Sequence, residues 1–344
     1  MFRVLPAVLA ARDRKAANAV LNNWLAGLGT VAACEPCAKL DTSNLQIRPD
    51  LAWLDDQARL GAELSHNLRR VYANRPADGR QFYISLTAAI GNPQFLHESY
   101  YTAIRNPDSG CQILAAFRFW NIIAYWFPYR DVIGENWDKV LRLSISKIAT
   151  AKTPESYQQQ LMALVARAHD THANLWSSLS ARPPVGSCQI PVIMRFVQNR
   201  AVVAGYTSAE AVRGNVLLPG DIITGLDGIP ISQLVEKWAP YYAASNEPTR
   251  YRDIARSMFR GACGEVSLRV LRGTQDLLLK VNRIALTESD ERAALGHDLP
   301  GDSFRGPVSG LENSIFAHPL WQRPGKPPRK SQIFKAWHHA CKII

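Results

Sequence analysis

Apolar residues recur along this chain with two periods, and the change from one to the other divides it. Near the start Leu5, Val8, Leu9, Val20, Leu21, Trp24, Leu25 and Leu28 recur three and four apart across Pro6, the spacing of two amphipathic helices. Ile113 to Phe127 is apolar and aromatic enough for a third helix. Glu155 to Ala168 makes another, opened by Thr153 as N-cap with Pro154 in the first turn. From Gln189 onward the period is two. The stretches 189–196, 201–206, 265–271 and 276–284 alternate like strands. Between them Pro219-Gly220 turns the chain into a short apolar strand, and Asp227-Gly228 turns it back as a tight hairpin. Ser232 to Tyr242 then reads as a helix.

The pattern predicts an α+β chain: an incomplete helical region over 1–110, a helical subdomain over 111–186, a β module over 187–286, and a linker with a basic tail over 287–344. A shift of 140 positions lays Leu5, Val8, Ala11, Leu21, Trp24 and Leu25 on Ile145, Ile148, Ala151, Leu161, Leu164 and Val165, the mark of a duplicated helical hairpin. The first copy lacks the aromatic helix that precedes the second, so the N-terminus is expected to be cut short.

Composition narrows the class. At 47% hydrophobic residues the chain can bury a core, while no run of about 18 uninterrupted apolar residues predicts a membrane span. Met1 to Ala11 imitates a secretory leader, but the helical periodicity continues across it. The net charge of +11 is uneven: 305–344 holds seven basic residues and one acid, among Pro307, Pro319, Pro324, Pro327 and Pro328. That tail is expected to be disordered. With no recognition helix, zinc finger or RNA-binding strand beside the charge, nucleic acid is not an expected partner. Cys34 and Cys37 are spaced for a small loop disulfide, and Cys188 and Cys263 are candidates for another in an oxidising compartment. No metal site or cofactor is expected; His338, His339 and Cys341 lack a defined fourth ligand.

The run Leu217 to Ile231 with its flanking strands resembles a PDZ domain of the circularly permuted bacterial kind. Upstream stands Ala168-His169-Asp170-Thr171-His172-Ala173, preceded by the aromatic helix. Helical domain, Asp-x-His-Ala and PDZ in that order resemble the tail-specific (C-terminal processing) and tricorn-like serine peptidases. The resemblance implies proteolysis through an acyl-enzyme on a serine, protein or peptide substrates recognised through their C-termini, and periplasmic or secreted location. It assigns His172 the role of general base, with Asp170 near enough in sequence to orient the ring if the segment is a loop.

The family nucleophile stands on a G-x-x-S-[AG]-E turn in a following α/β core. Gly205-Tyr206-Thr207-Ser208-Ala209-Glu210 matches that string, with Lys237 29 residues on, but Ser208 lies inside the PDZ-like module and reads as a decoy in a short helical connection. Beyond Arg305 no strand and helix pattern follows, so the chain is expected to be truncated and inactive, or to bind only. The alternative is a non-enzymatic peptide-binding adaptor. In either case the expected groove lies between Ile190, Val192 and Ile193 on one side and Val235, Trp238 and Tyr242 on the other, with Arg195 or Arg213 as a source of positive charge. Pro191 departs from the family by removing an amide from the ligand-facing strand.

Overall fold

The computed structural model describes residues 4–35, 50–74, 83–89, 93–97, 104, 106–212 and 216–286. The basic tail, Arg213 and the expectation of disorder after Leu286 lie outside the described residues. The chain is α+β and divides into two compact units, one through Pro128 and one from Tyr129.

In the first unit Pro6 sits in the opening turn of α1 (Leu5–Leu9), where a missing amide proton costs nothing. Asp13 caps α2 (Arg14–Ala26) by accepting from the Ala16 amide at 2.7 Å. Asp56 caps α3 (Gln57–Ala73) likewise, and Asn18 Nδ2 donates to the Arg59 carbonyl at 3.0 Å, joining α2 to α3. A short antiparallel pair, β1 (Ile84–Leu86) and β2 (Pro93–Phe95), precedes α4 (Ser109–Trp126), the aromatic helix. Phe119 and Ile123 of α4 are buried.

The second unit opens with α5 (Trp137–Ala149) and α6 (Pro154–Ala166). Thr153 and Ser156 close a reciprocal capping box at the start of α6, as the Thr-Pro signal predicts. Under the 140-residue shift α2 and α6 coincide end for end, each being 13 residues long.

The β module follows. The expected single strand 189–196 is split at Pro191 into β3 (Cys188–Gln189) and β4 (Val192–Val197), because Pro191 cannot donate to a ladder and the two halves pair with different strands. After β5 (Arg200–Tyr206) come a short helix α7 (Ala209–Val212), the hairpin β6 (Ile222–Leu226) and β7 (Ile229–Pro230), and helix α8 (Ile231–Trp238). Helix α9 (Glu247–Ser257) leads to the long ribbon of β8 (Gly264–Arg272) and β9 (Gln275–Ala285). The sheet order is β3-β9-β8-β6-β5-β4, with β7 pairing β6.

Asp227 and Gly228 have φ of 47° and 77°, so the hairpin turn holds two left-handed residues as its sequence demands. The core gathers the inward-facing alternate residues of these strands with the helices packed on them, among them Ile190, Ile223, Ile254, Met258, Leu268 and Val270. A disulfide between Cys188 and Cys263 ties β3 to the start of β8. Beside it the amides and carbonyls of Cys188 and Gly261 exchange hydrogen bonds at 3.2 and 2.9 Å, and the backbones approach so closely that a Cβ on Gly186 would lie 2.1 Å from the Gly261 carbonyl oxygen.

Candidate functional site

After α6 the chain reverses through His169, whose φ of 50° lies in the left-handed region that non-glycine residues seldom enter. Its Nε2 stands 2.9 Å from a Glu135 carboxylate oxygen, and Arg167 pairs with the same carboxylate. Two further contacts fix the next residues: the Thr171 amide donates to Ser245 Oγ at 3.2 Å, and the Ser245 amide donates to Thr171 Oγ1 at 3.1 Å. Asn174 Nδ2 donates back to the Thr171 carbonyl at 2.8 Å. The segment is a pinned loop.

That loop brings together two side chains that a helix would have splayed apart. Asp170 Oδ1 accepts the His172 amide at 2.9 Å and lies 3.0 Å from His172 Nδ1. A carboxylate accepts, so Nδ1 carries the proton and exchange with a reactant falls to Nε2. The hydrogen bond from Asp170 raises the imidazole above its ordinary pKa against the effect of burial. Burial pushes the Asp170 carboxyl up, but the hydrogen bonds from His172 outweigh it and leave it below the usual carboxylate range. The pair therefore favours the imidazolium and carboxylate forms.

Ser208 precedes α7, and its Oγ accepts the Ala211 amide at 3.2 Å, the contact of an N-cap. Ile190, Val192, Val235, Trp238 and Tyr242 are all buried in the core of the module, and Ile193 is 37% exposed on the outer face of β4. Tyr242 is held there by chemistry as well as packing. Its hydroxyl donates to the Pro183 carbonyl at 2.9 Å, which leaves Ser257 Oγ, at 2.6 Å, to donate to it. The Arg182 guanidinium lies 4.4 Å from its ring centroid.

The helix that runs beside β4 is α9, while α8 packs on β6 and β7. Phe196 of β4 and Tyr251 of α9 stack at 4.9 Å with an interplanar angle of 28°. Sequence reasoning passed over α9 because its many charges hide its apolar stripe. The signals were present in Asn246, which caps it by accepting the Thr249 amide at 2.9 Å, in Pro248 in its first turn, and in Ile254, Ala255 and Met258. Also missed was Asp221, 1% exposed, which accepts two bonds of 2.7 Å from Arg272 and one of 2.8 Å from the Leu218 amide, and so fixes the Pro219-Gly220 turn.

Among the described residues no group of three or more His, Cys, Asp or Glu side chains is placed to hold a metal ion, and no helix is long and apolar enough to cross a membrane.

No family model matches the chain, and no curated protein matches it in sequence. Solved structures give partial likenesses. Mature CPAF is similar over 52% of this chain and 35% of its own length, at 12% identity and a TM-score of 0.39. Mature CPAF complexed with lactacystin is similar over 57% and 40%, at 10% identity and a TM-score of 0.38. The photosystem II D1 C-terminal processing protease is similar over 51% and 44%, at 14% identity and a TM-score of 0.29. The chain spans less than half the length of each of these structures.

Proposed function

We propose that this chain is a peptide-recognition protein related to the tail-specific and tricorn-like serine peptidases, and that its β module is PDZ-like and takes an extended peptide as an added strand along β4. One observation carries the reading: β4 is the last strand of its sheet, paired with β5 alone, and α9 lies alongside it. An edge strand beside a helix offers main-chain hydrogen bonds to a ligand on one side and side-chain contacts on the other. The grip starts at Met194: its register partner Val203 exchanges hydrogen bonds with Asp221 and Gly220 instead, so the main-chain groups of Met194, and of Phe196 two residues on, face the open edge. Pro191 has no amide proton, and the Val192 amide is used internally, donating to the Ile190 carbonyl at 2.8 Å. Those two positions do not serve a C-terminal carboxylate, so the ligand is held along its length. Export fits the Cys188–Cys263 disulfide, which persists in oxidising compartments.

Fluorescein-labelled hexapeptides with apolar residues are expected to give saturable anisotropy with the full chain. Hydrogen exchange should slow at the amides of Met194 and Phe196, which face the open edge. Binding without protection of β4, or no saturable signal, would overturn the reading.

A second reading, peptide-bond hydrolysis with His172 as general base, is favoured by the Asp170–His172 pair alone. Its nucleophile would have to be a serine that a fluorophosphonate labels covalently, and labelling lost on His172→Ala would support it. With Ser208 engaged as a cap, the expected result is no labelling at that position.

A further inference from the structure

The β4–β5 hairpin sends alternate residues to opposite faces. Val192 and Met194 are buried, whereas Ile193, Arg195 and Val197 face outward. The register sets Val202 opposite Arg195 and Arg200 opposite Val197, so Arg200 shares the outer face with Arg195, one diagonal step away. Both arginines are exposed, and among the described residues neither guanidinium has a hydrogen-bond or ion-pair partner. Their neighbours differ in this. Arg250 pairs with Glu247, Arg252 and Arg256 with Asp253, Arg269 with Asp276, and Arg272 with Asp221. Two like charges side by side on one strand pair repel each other, and nothing described offsets them. The two apolar side chains on the same face are substantially exposed, Ile193 at 37% and Val197 at 55%.

From this face we infer the class of ligand: an extended peptide with an acidic side chain beside Arg195 and Arg200 and an apolar one two residues away on the same side. The inference rests on the β4 reading above and adds to it a charge preference. A strand added at the edge of β4 continues the pleat, so every second ligand side chain lies on the outer face next to Ile193, Arg195 or Val197, while those between meet α9. The carboxylate neutralises two cations that repel, and the apolar residue covers exposed surface.

The test is a set of labelled hexapeptides in which a single Glu, Ala or Lys is moved along an otherwise apolar sequence, titrated into the full chain. Glu at alternate positions should tighten binding by about twofold to fivefold over Ala, the range of an exposed ion pair, and Lys there should weaken it. High salt should erase the difference. Arg195→Glu combined with Arg200→Glu should reverse the order of Glu and Lys, with Arg195→Gln combined with Arg200→Gln abolishing the preference as a control that keeps side chains of similar length. If peptides bind and protect β4 from exchange while the Glu and Lys series is flat, or while the double Glu variant leaves the order unchanged, the charge inference falls and the β4 reading stands. If no peptide binds, both fall.

Discussion

His172 and Asp170 show how much a single side-chain contact alters the chemistry of a loop. Because the imidazole gains a carboxylate partner at 3.0 Å, its pKa rises, and a histidine with a raised pKa stays protonated further toward neutral pH than an ordinary one. Asp170→Asn removes the charge while keeping an oxygen that can accept. The His172 ring resonances, followed by NMR against pH, should then titrate at lower pH than in the unaltered chain. An unchanged midpoint would show that Asp170 does not set the protonation of His172. Asp221 gives the opposite case in sign. The hydrogen bond from Arg272 holds its carboxyl below the ordinary range, so the stabilisation it provides is present above the unfolded carboxylate pKa and is lost as pH falls through the lower folded value. Arg272→Ala leaves the Asp221 carboxylate without its cation, and should lower the urea midpoint at neutral pH. The loss should shrink in acid, where Asp221 is protonated.

At the scale of elements, what could be read from the chain and what could not separate along one line: contacts close in sequence were legible and contacts far apart were not. Thr153-Pro154 marked the start of α6 and Asp227-Gly228 marked the hairpin because a cap and a turn are decided within four residues. The split of β3 from β4 was half visible. Pro191 signalled a weakened strand, but that Cys188 pairs with Ala285 depends on a partner nearly a hundred residues away. The Asp221–Arg272 bond and the seat of α9 beside β4 are likewise long-range, and the expectation rested on α8, the nearer helix, whereas the helix beside β4 is α9. Two tests address the β3 junction. Reduction of the bridge, or Cys188→Ala with Cys263→Ala, reopens a 75-residue separation and should lower stability by ~4 kcal/mol on the chain-entropy scale, seen as an earlier denaturant midpoint. Gly186→Ala should cost about 2 kcal/mol, since the added carbon meets backbone rather than a yielding side chain.

For the molecule as a whole, the question is which part holds the site. The loop from His169 to Asn174, its anchors Glu135 and Ser245, the disulfide, and every residue of the large core cluster fall in the unit that begins at Tyr129. A unit with its own core, its own cross-link and the complete candidate site has what independent folding requires. A chain comprising residues 129–286 should therefore fold alone, give dispersed amide resonances, unfold in one cooperative transition and protect β4 on adding peptide. That the 140-residue shift aligns α2 in the first unit with α6 in the second gives a sharper comparison. The second copy is followed by the His172 loop and the β module, whereas in the first unit the other copy is followed by no Asp-x-His sequence and, among the described residues, by the short β1–β2 pair alone as sheet. If the repeat is an old helical hairpin used twice, function resides in what was joined to the second copy. Residues 4–128 expressed alone should then show no peptide binding under conditions in which 129–286 binds. Equal binding by the two pieces would place recognition in the helical hairpin rather than along β4.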